Sequence, residues 1–374
     1  MKHVKYLRKF GWEPVVITTE AKNYPWLDKS LMKNIPSDTH IYRIPVVKTC
    51  LINDKAVLWI PYVLRSVSSI IRKEKPAVVF LTGGPFFPLI LGPIIKKWFK
   101  VPYVIDFRDP WRLAERGIIK RKGIKNWASR NLTNILEPRI IRGASCIIFA
   151  TEPMCRAYIY AYKNEIQNKF ITITNGYDSE DFYDIKPIQF REFTIIYTGK
   201  WYSDVSGAFM NITNLFKAIK IVHEKGKLIR LIHIGKKEKK VTELVQALDI
   251  CSIVNFVGQK SYEECIAYIK GADLTIAIGE ARLYGTPAKL FDYIGCRKRI
   301  LALAPSNSVV AELIGKMPFA KCVHSNNPID IAVEIEEINK GKLKNANSIE
   351  FSYCYEREHL TSILAGVLDE AING

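Results

Sequence analysis

The chain has 374 residues, more than one hydrophobic core usually serves, so two domains are expected. Hydrophobic residues make up 48% and charged residues 25%, a balance that excludes a disordered chain. With 55 Lys and Arg against 37 Asp and Glu, the net charge is +18, which suits an anionic partner: a phosphate-bearing substrate, an acidic membrane surface or nucleic acid.

Taken in chain order, residues 1–10 are basic and mixed rather than apolar, so no cleavable signal peptide is expected. They read as a helix leading into a strand at 14–19. Further strands are predicted at 40–44, 78–82, 103–106, 146–150 and 170–173, then at 194–198, 230–234, 253–257, 274–278, 299–302 and 319–323. Most are Val/Ile-rich runs with polar ends, the mark of strands buried on both faces. Helical patterns at 56–73, 124–142, 209–225, 262–270, 329–339 and 355–372 alternate with them, as in parallel α/β sheets. The uncharged stretch 77–95, AVVFLTGGPFFPLILGPII, is nearly long enough to span a bilayer. Its Gly83-Gly84 pair and its prolines point instead to a strand, a turn and a helix. The polar, turn-rich segment 175–191 reads as a linker. The eight cysteines show no CxxC pair or zinc-site spacing and read as buried, reduced thiols.

Four stretches carry candidate chemistry. At 103–112, YVIDFRDPWR runs an apolar strand straight into Asp106, Arg108, Asp109 and Arg112. Charges at a strand's carboxyl end are expected where it opens into a ligand cleft. An Arg–Asp network that holds the turn is the structural alternative. At 285–295, Thr286 can cap a helix and Pro287 suits its first turn. The free N–H groups of such a start, with Ala288 and Lys289, can hold a diphosphate. Lys289 and Asp292 lie three apart on one helix face, where Lys289 can neutralise phosphate and Asp292 can accept from ribose hydroxyls. An ordinary capped helix with a surface Lys–Asp pair is the alternative. Gly199 and Lys200 follow a predicted strand, where glycine lets backbone N–H groups approach a phosphate. Gly83 and Gly84 end another strand. No metal-binding D-x-D pair, H-E-x-x-H, P-loop or G-x-S-x-G elbow occurs. His233, in LIHIG, reads as a core or strand-end residue, and no histidine is given a catalytic role.

Together with FVGQKSYEE at 256–264, TNGYDSEDF at 174–182, YTGKWY at 197–202, GTPAKLFDYIGCRKRILAL at 285–303 and the terminal YEREHLTSILAGVL, these stretches make the chain resemble bacterial GT-B glycosyltransferases near the retaining family 4 group. The resemblance implies two Rossmann-like, doubly wound domains facing a cleft: an acceptor-side domain at 1–185, a nucleotide-sugar domain at 186–345 and a C-terminal helix at 346–374 crossing back to the first. It implies retaining transfer of a sugar from a nucleoside diphosphate sugar to a glycan or lipid-linked glycan in surface polysaccharide synthesis, without cofactor or metal. Gly199, Lys200, Thr286, Pro287, Ala288, Lys289 and Asp292 would hold the donor, with Asp292 where the family usually has Glu and Tyr284 where it often has another. Gly83, Gly84, Asp106 and Asp109 would face sugar and acceptor. Arg108, Asp109, Lys200 and Lys289 would carry the catalytic work, and closure of the domains would exclude water. The basic stretch at 112–130 and Lys96, Lys97 and Lys100 around Trp98 read either as a solvated helix face or as a surface for an anionic membrane, which would place a cytoplasmic protein at the inner face of the membrane. No nucleic-acid motif is present. A nucleotide-sugar epimerase and a non-catalytic paralogue that binds a partner or membrane are the alternatives. The first strand of such a fold and its Gly-rich loop are expected to be lacking, leaving an apolar sheet edge.

Overall fold

All twelve expected strands form, each within two residues of its predicted ends, and every described strand pair is parallel. The computed structural model describes residues 2–20, 35–45, 58–113, 124–162, 167–201, 212–279, 284–343 and 353–373. The chain divides into two units, Met1–Thr174 with Glu358–Gly374, and Asn175–Arg357.

In the first unit, β1 (Val15–Thr19) pairs with β2 (His40–Ile44). A second sheet runs β3 (Val79–Gly83), β4 (Tyr103–Phe107), β5 (Cys146–Phe149) and β6 (Phe170–Thr172), in that order. No strand pairing joins the two sheets among the described residues. β4, paired on both sides, is buried throughout, whereas β1 and most of β3 are only half-buried, as befits open edges. The helices are α1 (Lys2–Tyr6), α2 (Ile60–Glu74), α3 (Leu91–Phe99), α4 (Ile124–Gly143) and α5 (Glu152–Ala161). On α2, Val63, Val67, Ile70 and Ile71 recur at helical spacing and pack with Leu91 and Ile95 of α3. Ile17, Ile44 and Val79 join the same cluster, so these helices cover one face of both sheets.

In the second unit, six strands run in the order β12-β11-β10-β7-β8-β9. They are β7 (Phe193–Thr198), β8 (Ile229–Ile234), β9 (Val254–Gly258), β10 (Leu274–Ile278), β11 (Ile300–Leu303) and β12 (Ala320–Val323). The chain winds outward from β7 to β9, then returns to the far side of β7 for β10. That reversal makes the carboxyl ends of β7 and β10 the place where this topology opens a crevice. The helices are α6 (Ile212–Glu224), α7 (Lys239–Ala247), α8 (Tyr262–Gly271), α9 (Lys289–Gly295), α10 (Val309–Ile314) and α11 (Pro328–Asn339). α8 starts on a reciprocal capping box between Ser261 and Glu264, as YEE after Ser suggests. The last helix, α12 (Arg357–Asn373), belongs to the first unit. Its Leu360, Leu364 and Leu368 pack on Val104, Ile148 and Ile173, each burial contributing about 1.5–3 kcal/mol.

Three expectations need correction. The segment at 175–191 is not a free linker: Tyr177, Asp178 and Phe182 are buried in the second unit, with Phe182 against Gly295 of α9, where a Cβ would lie 2.3 Å from the ring. The seven described cysteines are free, but only Cys155 is buried, and Cys251 and Cys354 are exposed. Helices α5, α7 and α10 were not predicted. No described helix is long and apolar enough to cross a membrane, and residues 77–95 form β3, a turn and the start of α3.

Candidate functional site

The carbonyls at the end of β7 are held by three side chains. Lys289 Nζ donates to Thr198 O at 2.6 Å, His233 Nε2 donates to Gly199 O at 2.7 Å, and Tyr197 Oη donates to Lys200 O at 2.9 Å. Tyr293, one turn beyond Lys289 on α9, accepts the Thr198 N–H at 3.1 Å. So α9 grips the last residue of β7 at both its N–H and its carbonyl. Gly199 takes φ +95, and its open face lies 3.7 Å from Lys289 Nζ, measured from where a Cβ would stand. Gly235 approaches from the end of β8, where a Cβ would come within 2.4 Å of Gly199 O. Gly235→Ala must therefore displace the turn. It is expected to cost about 1–3 kcal/mol of stability and to weaken any ligand held at Lys200, read by thermal unfolding and titration.

Lys289 is half-buried as a residue, but its ammonium lies inward, 3.5 Å from the centroid of the Tyr197 ring. Burial lowers its pKa to about 7, and no described carboxylate pairs with it. Tyr197 stacks on Trp201 at 4.0 Å between centroids, and Trp201 lies 4.8 Å from His233. Burial, with the neighbouring Lys289 charge, lowers the pKa of His233.

Lys289 and Asp292 do not form a surface pair. Asp292 turns to α8, where Tyr262 Oη donates to it at 2.9 Å. Burial, then the Asp292 charge, raises the pKa of Tyr262 well above the usual phenol value. Thr286 does not cap the helix. The first helical residue is Lys289, the N-cap is Ala288 without a side-chain bond, and Pro287 and Ala288 give their carbonyls to Leu290 and Phe291. The structure thus brings Gly199 and Lys289 together, with Asp292 three residues along α9. Lys200 is exposed beside them.

In the first unit, Arg108 Nε donates to Asp106 Oδ2 at 2.7 Å, and its Nη2 lies 2.7 Å from Oδ1. Thr82 donates to the same carboxylate at 3.2 Å, and Arg108 Nη1 donates to the Ile173 carbonyl at 3.2 Å. That is the Arg–Asp network considered above, tying the ends of β3, β4 and β6. Asp109 is exposed. Gly83 meets the Phe86 ring, Gly84 takes φ +108, and Phe86 stacks on Trp111 at 5.5 Å between centroids.

Sequence reasoning missed Glu137. It is fully buried on α4 and accepts from the Arg112 N–H at 2.7 Å, from Tyr162 Oη at 2.7 Å and from Tyr158 Oη at 3.2 Å. Burial raises its pKa against the pull of those donors. A lone acid in the apolar helix stretch NILEPRII was the available signal. The described residues hold no group of three or more metal-ligating side chains.

Residues 2–181 match the family Glycosyltransferase Family 4. No curated protein matches the chain by sequence. Among solved structures, sucrose-phosphate synthase from Thermosynechococcus elongatus is similar at 13% identity and a TM-score of 0.68, covering 98% of this chain and 90% of that one. HepE from Anabaena, solved with UDP and glucose, is similar at 14% identity and 0.66, covering 98% and 95%. WaaG, a glycosyltransferase involved in lipopolysaccharide biosynthesis, is similar at 12% identity and 0.61, covering 100% and 94%. The chain therefore has the GT-B fold of two Rossmann-like domains, and its resemblance to family 4 glycosyltransferases is borne out by the match over residues 2–181.

Proposed function

We propose that the chain transfers a sugar from a nucleoside diphosphate sugar to a hydroxyl of a glycan or lipid-linked glycan in surface polysaccharide synthesis, with retention at the anomeric carbon and without a metal. The observation that carries this reading is the Gly199–Lys200 turn at the switch point of the second sheet, gripped from α9 by Lys289, in a chain whose first half matches a glycosyltransferase family. In the reaction, the bond from the anomeric carbon to the diphosphate oxygen breaks and a bond to the acceptor oxygen forms. The acceptor proton leaves with the diphosphate. Lys200 and the turn's backbone stabilise the departing charge, with Lys289 beneath, and residues 286–288 border it. Asp292, already an acceptor for Tyr262, holds a ribose hydroxyl. On the first unit, exposed Asp109 faces the acceptor, while Arg108 and Asp106 set the strand end that carries it, beside Gly83 and Gly84.

The protein works at the inner face of the cell membrane. Trp98 is 59% exposed among Lys96, Lys97 and Lys100 on and just after α3. Exposed Leu132, Ile135, Arg139 and Arg142 follow at helical spacing on α4. Most of the basic stretch at 112–130, including Arg116, Lys120, Arg121 and Lys122, lies outside the described residues.

The test incubates the protein with labelled UDP- and GDP-sugars and a membrane lipid extract. The expected result is label in the lipid or glycan fraction and free nucleoside diphosphate in equal amount. Conversion of the nucleotide sugar to its epimer without an acceptor would favour the epimerase reading. No turnover of any donor would favour a non-catalytic role.

A further inference from the structure

Three consecutive carbonyls, those of Thr198, Gly199 and Lys200, each accept a bond from a side chain. A trans peptide is planar, and its N–H points opposite to its C=O. Holding Gly199 O inward therefore turns the N–H of exposed Lys200 outward. That N–H has no acceptor among the described residues, although backbone donors are almost always paired. We infer that His233 is a positioning residue: its Nε2–H fixes the Gly199 carbonyl so that the Lys200 amide faces the donor's diphosphate as an anion-binding donor. The inference rests on the donor-site reading above and adds to it a residue that touches no ligand.

The chemistry of the ring supports the role. Gly199 O can only accept, so the His233 proton sits on Nε2. Nδ1 is buried and has no partner among the described residues, so a second proton there would find no acceptor among them, and burial disfavours the charged ring. Trp201 and Tyr197 pack against the imidazole, with Phe256 edge-on at 5.7 Å. Gly235 has no side chain to stand between the ring and the Gly199 carbonyl.

The experiment titrates UDP and GDP into the full chain by calorimetry, with His233→Gln, His233→Asn and Tyr197→Phe beside the wild type. The Gln amide can place its N–H where Nε2–H stands; the Asn amide is one methylene too short. His233→Asn is expected to lose roughly tenfold or more in affinity, while His233→Gln stays within about threefold of the wild type. Tyr197→Phe keeps the ring and loses the bond to Lys200 O. It should weaken binding by roughly three- to tenfold without lowering the unfolding temperature by more than a few degrees, and it decides the matter if the His233 variants fold poorly. Wild-type affinity in both His233→Asn and Tyr197→Phe would overturn the inference, as would equal losses in His233→Gln and His233→Asn. A wild type that binds neither nucleotide would overturn the donor-site reading, and the inference with it.

Discussion

Lys289→Met is expected to make the protein more stable and its hold on nucleotide weaker. The ammonium of Lys289 is enclosed, and burial alone moves its pKa from 10.5 to about 7. At about 1.36 kcal/mol per pH unit, keeping the proton in the folded state costs on the order of 5 kcal/mol. Met fills similar space without that cost but leaves the Thr198 carbonyl without its donor, a loss of about 1–3 kcal/mol. A net gain of about 2–4 kcal/mol remains at and below neutral pH. The gain depends on pH in a definite direction. Above the unfolded pKa both states are neutral and the lysine costs nothing, so its penalty grows as pH falls from 10.5 and is complete below about 7. Unfolding of the two proteins compared at pH 6 and pH 10 should show the difference shrink. Nucleotide affinity of the variant should fall by about tenfold or more, because the turn loses both its charge and its support. A variant that is less stable at pH 6 yet binds nucleotide normally would mean that Lys289 is only a structural tie.

Glu137→Leu is expected to be the most damaging single change in the first unit. The carboxylate satisfies the Arg112 N–H and the hydroxyls of Tyr158 and Tyr162, and lies 3.9 Å from the Arg112 guanidinium, itself stacked over Tyr162. Leucine leaves those donors buried without an acceptor and the guanidinium without its counter-charge, at a cost of about 3–5 kcal/mol. For a unit of this size the melting temperature should drop by about 10 °C. Glu137→Gln keeps an acceptor oxygen and should lose less than half as much. Because burial raises the pKa of Glu137, its ionised form is a burden above that pKa, and the burden lifts as pH falls through it. The wild type should therefore gain from Glu137 on mild acidification, a gain absent in the Gln variant. A Leu variant that melts like the wild type would contradict this account of the loop after β4.

The strands were legible because Val/Ile runs with polar ends leave few alternatives, from VVITT in β1 to ILAL in β11. The short helices were not: EPMCRAYIYA in α5 mixes aromatic and polar residues with little periodicity, and α10 has only six residues. Thr286-Pro287 carries a helix-start signal, yet the chain makes a further turn before Lys289, since the Pro287 and Ala288 carbonyls already bond Leu290 and Phe291. The segment at 175–191 looked like a linker because its polar residues hide Tyr177 and Phe182, which seat on Gly295 about 115 positions away. His233 was rightly read as a buried strand residue. What its position along the chain does not reveal is Gly199 O, just past the end of the neighbouring strand. Glu137 is illegible for the same reason: its partners lie 21 to 25 residues away on either side.

The central claim is a nucleotide-sugar site at the end of β7 and the start of α9. Calorimetric titration of UDP, GDP and their common sugar conjugates into the chain tests it most directly, with Asp292→Ala as the control. The account predicts saturable binding of one nucleotide family, weakened by at least about tenfold in Asp292→Ala. Absence of binding by every nucleotide, or binding indifferent to Asp292, would contradict it.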